Sequence, residues 1–317
     1  MNVHRVSALC AALVASIGLA VHADEGVTLK YKMAKGDTTI YRTNLEMKQT
    51  QTIAGMAFDN TMNTETISSY TVDSVDEKGN YHLTIRSERL KVTAKFGMLG
   101  DYAFDSRSSE RDKSSMIGAA VTPLYERMSG MVYQTKLGPD GDVLEVTGYA
   151  EQLKDILEAS PLARQFAGGS ASNETAKQGL RELFIKLPVK AIKTGDTWDV
   201  SSDVDLPQLG KNRGKSTYRF VGPDKVQGRE TAKTEVTGDT SFELNLEQDG
   251  AKITGTLSST NVSGTVHFDI ATGRVLRAEG SVTLGGEFSV DVNGMVIPVR
   301  NDQSMKSSFE VLEKVPD

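Results

Sequence analysis

Few residues in this chain have the chemistry for catalysis, and their spacing narrows the choices further. The full sequence holds four histidines and one cysteine. Cys10, His4 and His22 fall within residues 1–23, which are read below as a cleaved leader, so the working chain keeps only His82 and His267. A Ser-His-Asp or Cys-His device needs an imidazole placed to accept a proton. His82 lies between Tyr81 and Leu83, and His267 between Val266 and Phe268. On a strand that spacing turns each imidazole away from the apolar face and toward solvent. Two isolated imidazoles also fall short of the ligand set of a zinc site, so no metal and no cofactor is expected. Glycoside hydrolysis needs just two carboxylates. With 6% aromatic residues and a single Trp, the chain is poor in the platforms that sugar sites add, so a carboxylate-based hydrolase is the least favoured reading.

The remaining motifs are mild. Gly138-Pro139-Asp140-Gly141-Asp142 has the look of a calcium loop but lacks the closing Glu, and serves as a hairpin turn. No Gly-rich phosphate loop precedes a helix. Trp198 stands at the head of a strand, where an indole anchors a core or stacks on a ligand. Met116, Ile117, Ala120, Val121, Leu124, Tyr125 and Met128 form one broad helical face with two pliable methionines. That face packs on a sheet or walls an apolar pocket. On the second alternative, the pocket candidates are Met116, Ile117, Val121, Leu124, Tyr125, Met128 and Trp198.

The elements that must position these residues begin after the leader. A basic Arg5, an apolar run from Val6 to Val21 and the small Ala23 before Asp24 form a secretory signal pattern. The run is shorter than the roughly 20 residues needed to span a bilayer. Export to the periplasm or beyond is therefore expected, with no transmembrane span after cleavage. The formal charge of −6 becomes −7 once Arg5 leaves, which disfavours nucleic acid as a partner.

Period-2 alternation marks strands at Val27–Met33, Tyr41–Met47 and Tyr81–Ile85. A parity change before Leu90 predicts a bulge near Ser87–Arg89. Helical periodicity takes over between 109 and 187, with Pro123 kinking or restarting a helix, Ser160-Pro161 opening a short one, and Asn173 capping another. That last helix is expected to carry Leu180, Leu183, Phe184 and Leu187 to a stop at Pro188. Gly168-Gly169-Ser170 reads as a linker. Alternation then returns through Phe242–Leu246, Val266–Ile270 and Phe288–Val292, separated by Asp249-Gly250, Thr272-Gly273 and Asn293-Gly294 as hairpin turns.

The two β regions repeat one another in order. Gly36-Asp37-Thr38 recurs as Gly195-Asp196-Thr197; Tyr70, Asp76 and Gly79 as Tyr218, Asp224 and Gly228; Phe104-Asp105 as Phe268-Asp269. Gly141-x-Val143-Leu144-x-x-x-Gly148 matches Gly273-x-Val275-Leu276-x-x-x-Gly280. The expected fold is α+β and mostly antiparallel: a β unit over 24–108, a helical segment over 109–187 that includes a strand pair around 131–148, and a second β unit over 188–317. The duplicated units either face each other as a sandwich or form one curved sheet wrapped on the helices.

These motifs resemble an uncharacterised family of exported bacterial proteins. At the level of architecture the layout also resembles the periplasmic lipid and lipoprotein carriers of the LolA and LppX type. That likeness implies a curved antiparallel sheet around helices holding an acyl ligand. The expected function is a non-enzymatic envelope protein that binds a hydrophobic ligand, such as lipid or lipoprotein, between sheet and helices. A structural or assembly module contacting another envelope protein is the alternative.

Overall fold

A computed structural model describes residues 26–159, 163–164, 171–206, 210–248 and 250–316. The leader, Ser160-Pro161 and Gly168-Gly169-Ser170 lie outside the described residues. The first strands are β1 (Thr38–Ile53), β2 (Met56–Val75), β3 (Tyr81–Phe96) and β4 (Gly100–Asp105), followed by helix α1 (Met116–Met128). Strands β5 (Val132–Leu137) and β6 (Val143–Thr147) precede helices α2 (Tyr149–Ala159) and α3 (Asn173–Leu183). The rest is a meander of β7 (Thr197–Leu206), β8 (Gly210–Val226), β9 (Arg229–Gln248), β10 (Ala251–Asp269), β11 (Arg274–Val292) and β12 (Met295–Leu312).

All strands belong to one antiparallel sheet ordered β6-β5-β3-β2-β1-β12-β11-β10-β9-β8-β7, with β4 added beside β3. A curved sheet is realised and a sandwich is not. Each half runs the same five-strand meander, β1-β2-β3-β5-β6 and β7-β8-β9-β10-β11, and β12 pairs with β1 and β11 to join them. The repeated turns carry the same bonds. Gly36 N–H donates to Val72 O at 2.8 Å and Ala34 N–H to Asp37 Oδ2 at 2.9 Å; Gly195 N–H donates to Phe220 O at 2.8 Å and Lys193 N–H to Asp196 Oδ2 at 2.8 Å. Both glycines have positive φ, 91° and 94°, which explains why this turn demands Gly twice. Bulges also recur, between Val72 and Ser74 and between Phe220 and Gly222. One expected match fails. Phe104-Asp105 lies on the side strand β4, whereas the register counterpart of Phe268 is Leu137, each paired across a bulge with the Val of its G-x-V-L motif.

Local differences have local causes. The bulge falls at Glu88, between the pairs Ile67–Arg89 and Ser68–Ser87. Val27–Met33 is extended with Leu29 and Tyr31 buried, but it is no strand, because beyond the bridge Val27–Ile192 it lacks a ladder partner. Helix α1 continues through Pro123 without restarting. Ser172, rather than Asn173, caps α3 through its bond to Thr175 N–H at 3.0 Å, while Asn173 Oδ1 accepts from Ala150 N–H at 2.9 Å. That helix ends at Leu183, and Phe184, Ile185 and Leu187 go on as a buried, non-helical segment. Thr272-Gly273 sits in a four-residue loop between Asp269 and Arg274, not a two-residue one.

The main core forms where this segment meets both ends of the sheet. Leu187 N–H donates to Asp140 O at 2.8 Å beside β6, and Trp198 Nε1–H of β7 donates to Lys186 O at 2.9 Å. One segment touching both terminal strands requires the sheet to curl around it. Tyr31 locks the join: its hydroxyl donates to Ile185 O at 3.0 Å, and its ring meets Phe184 and Phe268 edge-on at 6.1 and 5.4 Å. Residues from Leu29 to Phe309 contribute to this single cluster.

Candidate functional site

Alternation and register together define the two faces of the long strands. Phe309 is in the core, so Ser307, Met305, Gln303, Asn301 and Val299 of β12 share its face. Antiparallel pairing carries that inner face across the sheet: Met305 faces Met47 and Val282, Val282 faces Val262, and Met47 faces Met62. Farther along, Val299 aligns with Phe288 and Ile53, and Leu257 with Phe242. From Trp198, Tyr218, Val236, Gly264, Gly280, Ser307 and Leu45 out to the hairpin tips, no inner-facing residue of β1, β2 or β7–β12 is Asp, Glu, Lys or Arg. The opposite face over the same stretch bears Glu46, Lys48, Lys215, Asp239, Glu279 and Lys306, all exposed.

Glycines show that the sheet is concave toward the charge-free face. A Cβ on the inner-facing Gly210, Gly238, Gly255 or Gly286 would come within 2.2–2.5 Å of a carbonyl oxygen on the adjacent strand. At Gly210 and Gly255 a positive φ of 87° and 158° turns the Cβ toward the neighbour, and at Gly238 and Gly286 the close approach fits a sheet that bends toward this face. The helices touch this wall at Met62, which packs against the α1 cluster, and make their main contacts elsewhere. Leu180 and Leu183 join the main core; Ile117 and Val121 pack with Leu90, Val92, Tyr102 and Phe104; and Leu124 packs with Met131 and Leu153. Val204, Phe242, Leu257, Leu284, Phe288 and Val299 fall outside all three clusters.

The structure divides the pocket residues expected from sequence. Ile117, Val121 and Leu124 are 1–3% exposed and act as core packing. Tyr125 and Met128 are half-buried beside them, and Met116 is 65% exposed. Burial pushes the Tyr125 hydroxyl to about 12, and that of Tyr102 also rises, partly offset by its 2.9 Å bond with Thr122. Trp198 stands apart in the main core's margin, stacked on Tyr218 at 5.3 Å. Glu182 of α3 raises the Tyr218 pKa further, to about 12, after burial. The carboxyl of Glu182, exposed at one edge, is itself pushed up by partial loss of hydration. The space among Tyr31, Tyr41, Tyr70 and Phe184 amounts to about 10 Å³, room for a single water. Sequence reasoning singled out the compact helical stripe and missed the wall, whose residues are spread over eight strands.

The histidines belong to a duplicated ion cluster. Asp76 has Lys136 at 3.1 Å and His82 at 3.6 Å; its counterpart Asp224 has His267 at 3.2 Å and Lys233 at 3.9 Å. Register places His82 opposite Lys136 and Lys233 opposite His267, so the two halves exchange Lys and His across the same strand pair. His82 is open to solvent as expected. The His267 side chain is only 14% exposed, because Asp224 draws it onto the sheet. Bonds from Asn80 and Lys136 hold the Asp76 carboxyl well below the usual range, and bonds from Lys225 N–H and His267 lower that of Asp224. A depressed carboxylate pKa stabilises the fold above the unfolded value of roughly 3.9, and the gain is lost as pH falls below it. Thermal unfolding from pH 7 to pH 2 is therefore expected to show a Tm that drops below about pH 4. The drop should be smaller in the Asp76→Asn/Asp224→Asn double variant; equal drops in both proteins would refute the assignment.

On the polar face a groove of about 660 Å³ crosses β9–β12 and β1, with Glu46, Glu235, Glu279 and Lys306 among its lining residues. No helix among the described residues is long and apolar enough to cross a membrane, which leaves strands out of consideration.

The chain is thus an α+β protein dominated by one duplicated, curled antiparallel sheet with an apolar inner wall. Residues 78–275 match the model of a family of unknown function, DUF6263, and the chain belongs to that family. No curated protein matches it. Among solved structures, lipovitellin, studied for its lipid–protein interactions, aligns with 9% identity and a TM-score of 0.41 over 88% of this chain and 26% of its own. This chain therefore spans about a quarter of lipovitellin. DynF from the dynemicin biosynthesis pathway of Micromonospora chersina aligns with 8% identity over 92% of each chain and a TM-score of 0.20. A Bacteroides fragilis protein of YmcC-like fold aligns with 10% identity over 90% of this chain and all 100% of its own, at 0.24. All three scores lie below one half.

Proposed function

We propose that the protein is an exported, non-enzymatic binder of an acyl lipid, held against the inner wall of the curled sheet. The wall itself carries this reading: a charge-free face whose apolar residues Val204, Phe242, Leu257, Leu284, Phe288 and Val299 lie outside the three packed clusters. At the tips of the wall Met56, Val292 and Met295 are 61, 40 and 67% exposed, and exposed apolar area costs about 25 cal/mol per Å². The row Met62–Met47–Met305 suits chains of varied shape, since methionine repacks at little cost. The signal pattern of residues 1–23 supports export.

The test is native mass spectrometry and lipid extraction of the chain beginning at Asp24. Acyl lipid is expected to copurify with the wild type and to be absent from Val282→Lys, which places a charge in the middle of the wall. Val282 is half-buried, so circular dichroism of that variant should confirm an intact sheet. Lipid-free wild type that also fails to bind diacylglycerol would overturn the proposal. The polar groove favours the second reading, a docking surface for an envelope protein. Its three glutamates against one lysine would select a basic partner.

A further inference from the structure

Halfway along the wall, the apolar rows are crossed by side-chain amides. Asn60 Nδ2 donates to Gln49 Oε1 at 3.4 Å, and Gln49 Nε2 donates to Asn301 Oδ1 at 2.8 Å. This ladder ends at Asn301, which is 1% exposed and whose Nδ2 has no hydrogen-bond partner among the described residues. A buried amide left without an acceptor costs free energy comparable to the bond it lacks. Directly across the strand pair stands Gly286, so no side chain opposes the amide from β11. Val299 lies two residues toward the hairpin tips and Met305 four residues, roughly 13 Å, toward the core.

Resting on the acyl-lipid reading above, we propose that Asn301 Nδ2 is the recognition donor for an uncharged carbonyl oxygen, the ester or amide that joins an acyl chain to its headgroup. The absence of charge on the inner wall excludes the alternatives. A carboxylate or phosphate placed there would be buried with no Lys or Arg to compensate it, and would stay in water instead. A pure hydrocarbon would leave Nδ2 unpaired. An acyl ester satisfies the amide while its chain lies along the methionine row.

The experiment compares binding of a diacylglycerol with that of the dialkyl ether of equal chain length, which lacks only the carbonyls. Wild type is expected to prefer the ester about tenfold, the worth of one buried hydrogen bond. Asn301→Leu, close in volume, should bind both at the ether's level. A ¹³C-carbonyl diacylglycerol provides a second readout: its infrared carbonyl band should shift to lower frequency on wild type and not on Asn301→Leu. Asn301→Ala gives the same comparison if the Leu variant does not fold. Equal binding of ester and ether by wild type, or a preference that survives in the variants, would overturn the role of Asn301 while leaving the lipid wall standing. Binding of neither compound would overturn both.

Discussion

Phe268→Ala is expected to destabilise the protein by about 3–5 kcal/mol. Phe268 is 1% exposed and is among the largest fully buried side chains of the described residues. It sits at the end of β10, where the ladder to β11 slips by a bulge, so its ring faces the core rather than a neighbouring strand. The edge-on contact with Tyr31 at 5.4 Å contributes roughly 0.5–1.5 kcal/mol of the total. Tyr31 in turn holds Ile185 through its hydroxyl and receives a 3.0 Å bond from the Tyr81 hydroxyl at its own carbonyl. Removing the Phe268 ring therefore loosens the N-terminal segment, the first meander and the segment that plugs the sheet at the same time. Differential scanning calorimetry should show a Tm lowered by roughly 6–15 °C. A shift under 2 °C would mean that the two meanders do not share one cooperative core. Leu284→Ala is the informative comparison, since that residue is 5% exposed but lies outside the shared cluster, on the wall.

Much of this fold is legible in the sequence because its signals are local. Alternation over Phe288–Val292 sets the faces of β11, the parity change around Ser87–Arg89 marks the bulge at Glu88, and Asn293-Gly294 makes the two-residue turn between Val292 and Met295. The Gly-Asp-Thr turns are legible for the same reason: a positive φ, an Asp bonding back three residues and a strand start are all encoded within five positions. What joins the halves is not local. The pairing of β12 with β1 brings together residues 246 to 272 positions apart, from Ile53 with Val299 to Ile40 with Leu312, and no periodicity announces it.

The same limit hid the wall proposed to bind lipid. Met116 to Met128 drew notice because an apolar helical face is compact in sequence, yet Ile117 and Val121 are spent on β3 and β4 and Leu124 on Met131 and Leu153. The wall's rows take one residue from each strand, so they emerge only after the register is known. Asn301 is the extreme case. It stands between Arg300 and Asp302 in a polar stretch, and only its shared parity with Val299 and Met305 places it inside. The Lys–His exchange around Asp76 and Asp224 is likewise a property of register, since His82 and Lys233 occupy equivalent places with nothing similar around them in sequence.

Gly238→Val should test whether curvature makes the wall. Gly238 lies on the inner face between Ser216 of β8 and Val262 of β10, next to the bulge after Ser259. A Cβ there would stand 2.3 Å from Lys215 O, and the obstructing atom is backbone, which cannot rotate away. The strand pair must separate or flatten, at a cost of about 1–3 kcal/mol or more. Thr237→Val, one residue away on the exposed polar face, changes the same strand without touching the bend and should stay within about 0.5 kcal/mol. Because the cost arises from curvature, Gly238→Val is expected to open the wall as well as lower the Tm, and affinity for diacylglycerol should fall with it. Hydrogen exchange should locate the damage in the β8–β9 ladder around Ser216 and Thr217. An unchanged Tm with native exchange there would show that the sheet is flatter than the glycine contacts demand. A lowered Tm with full lipid affinity would place the ligand elsewhere than on this curve.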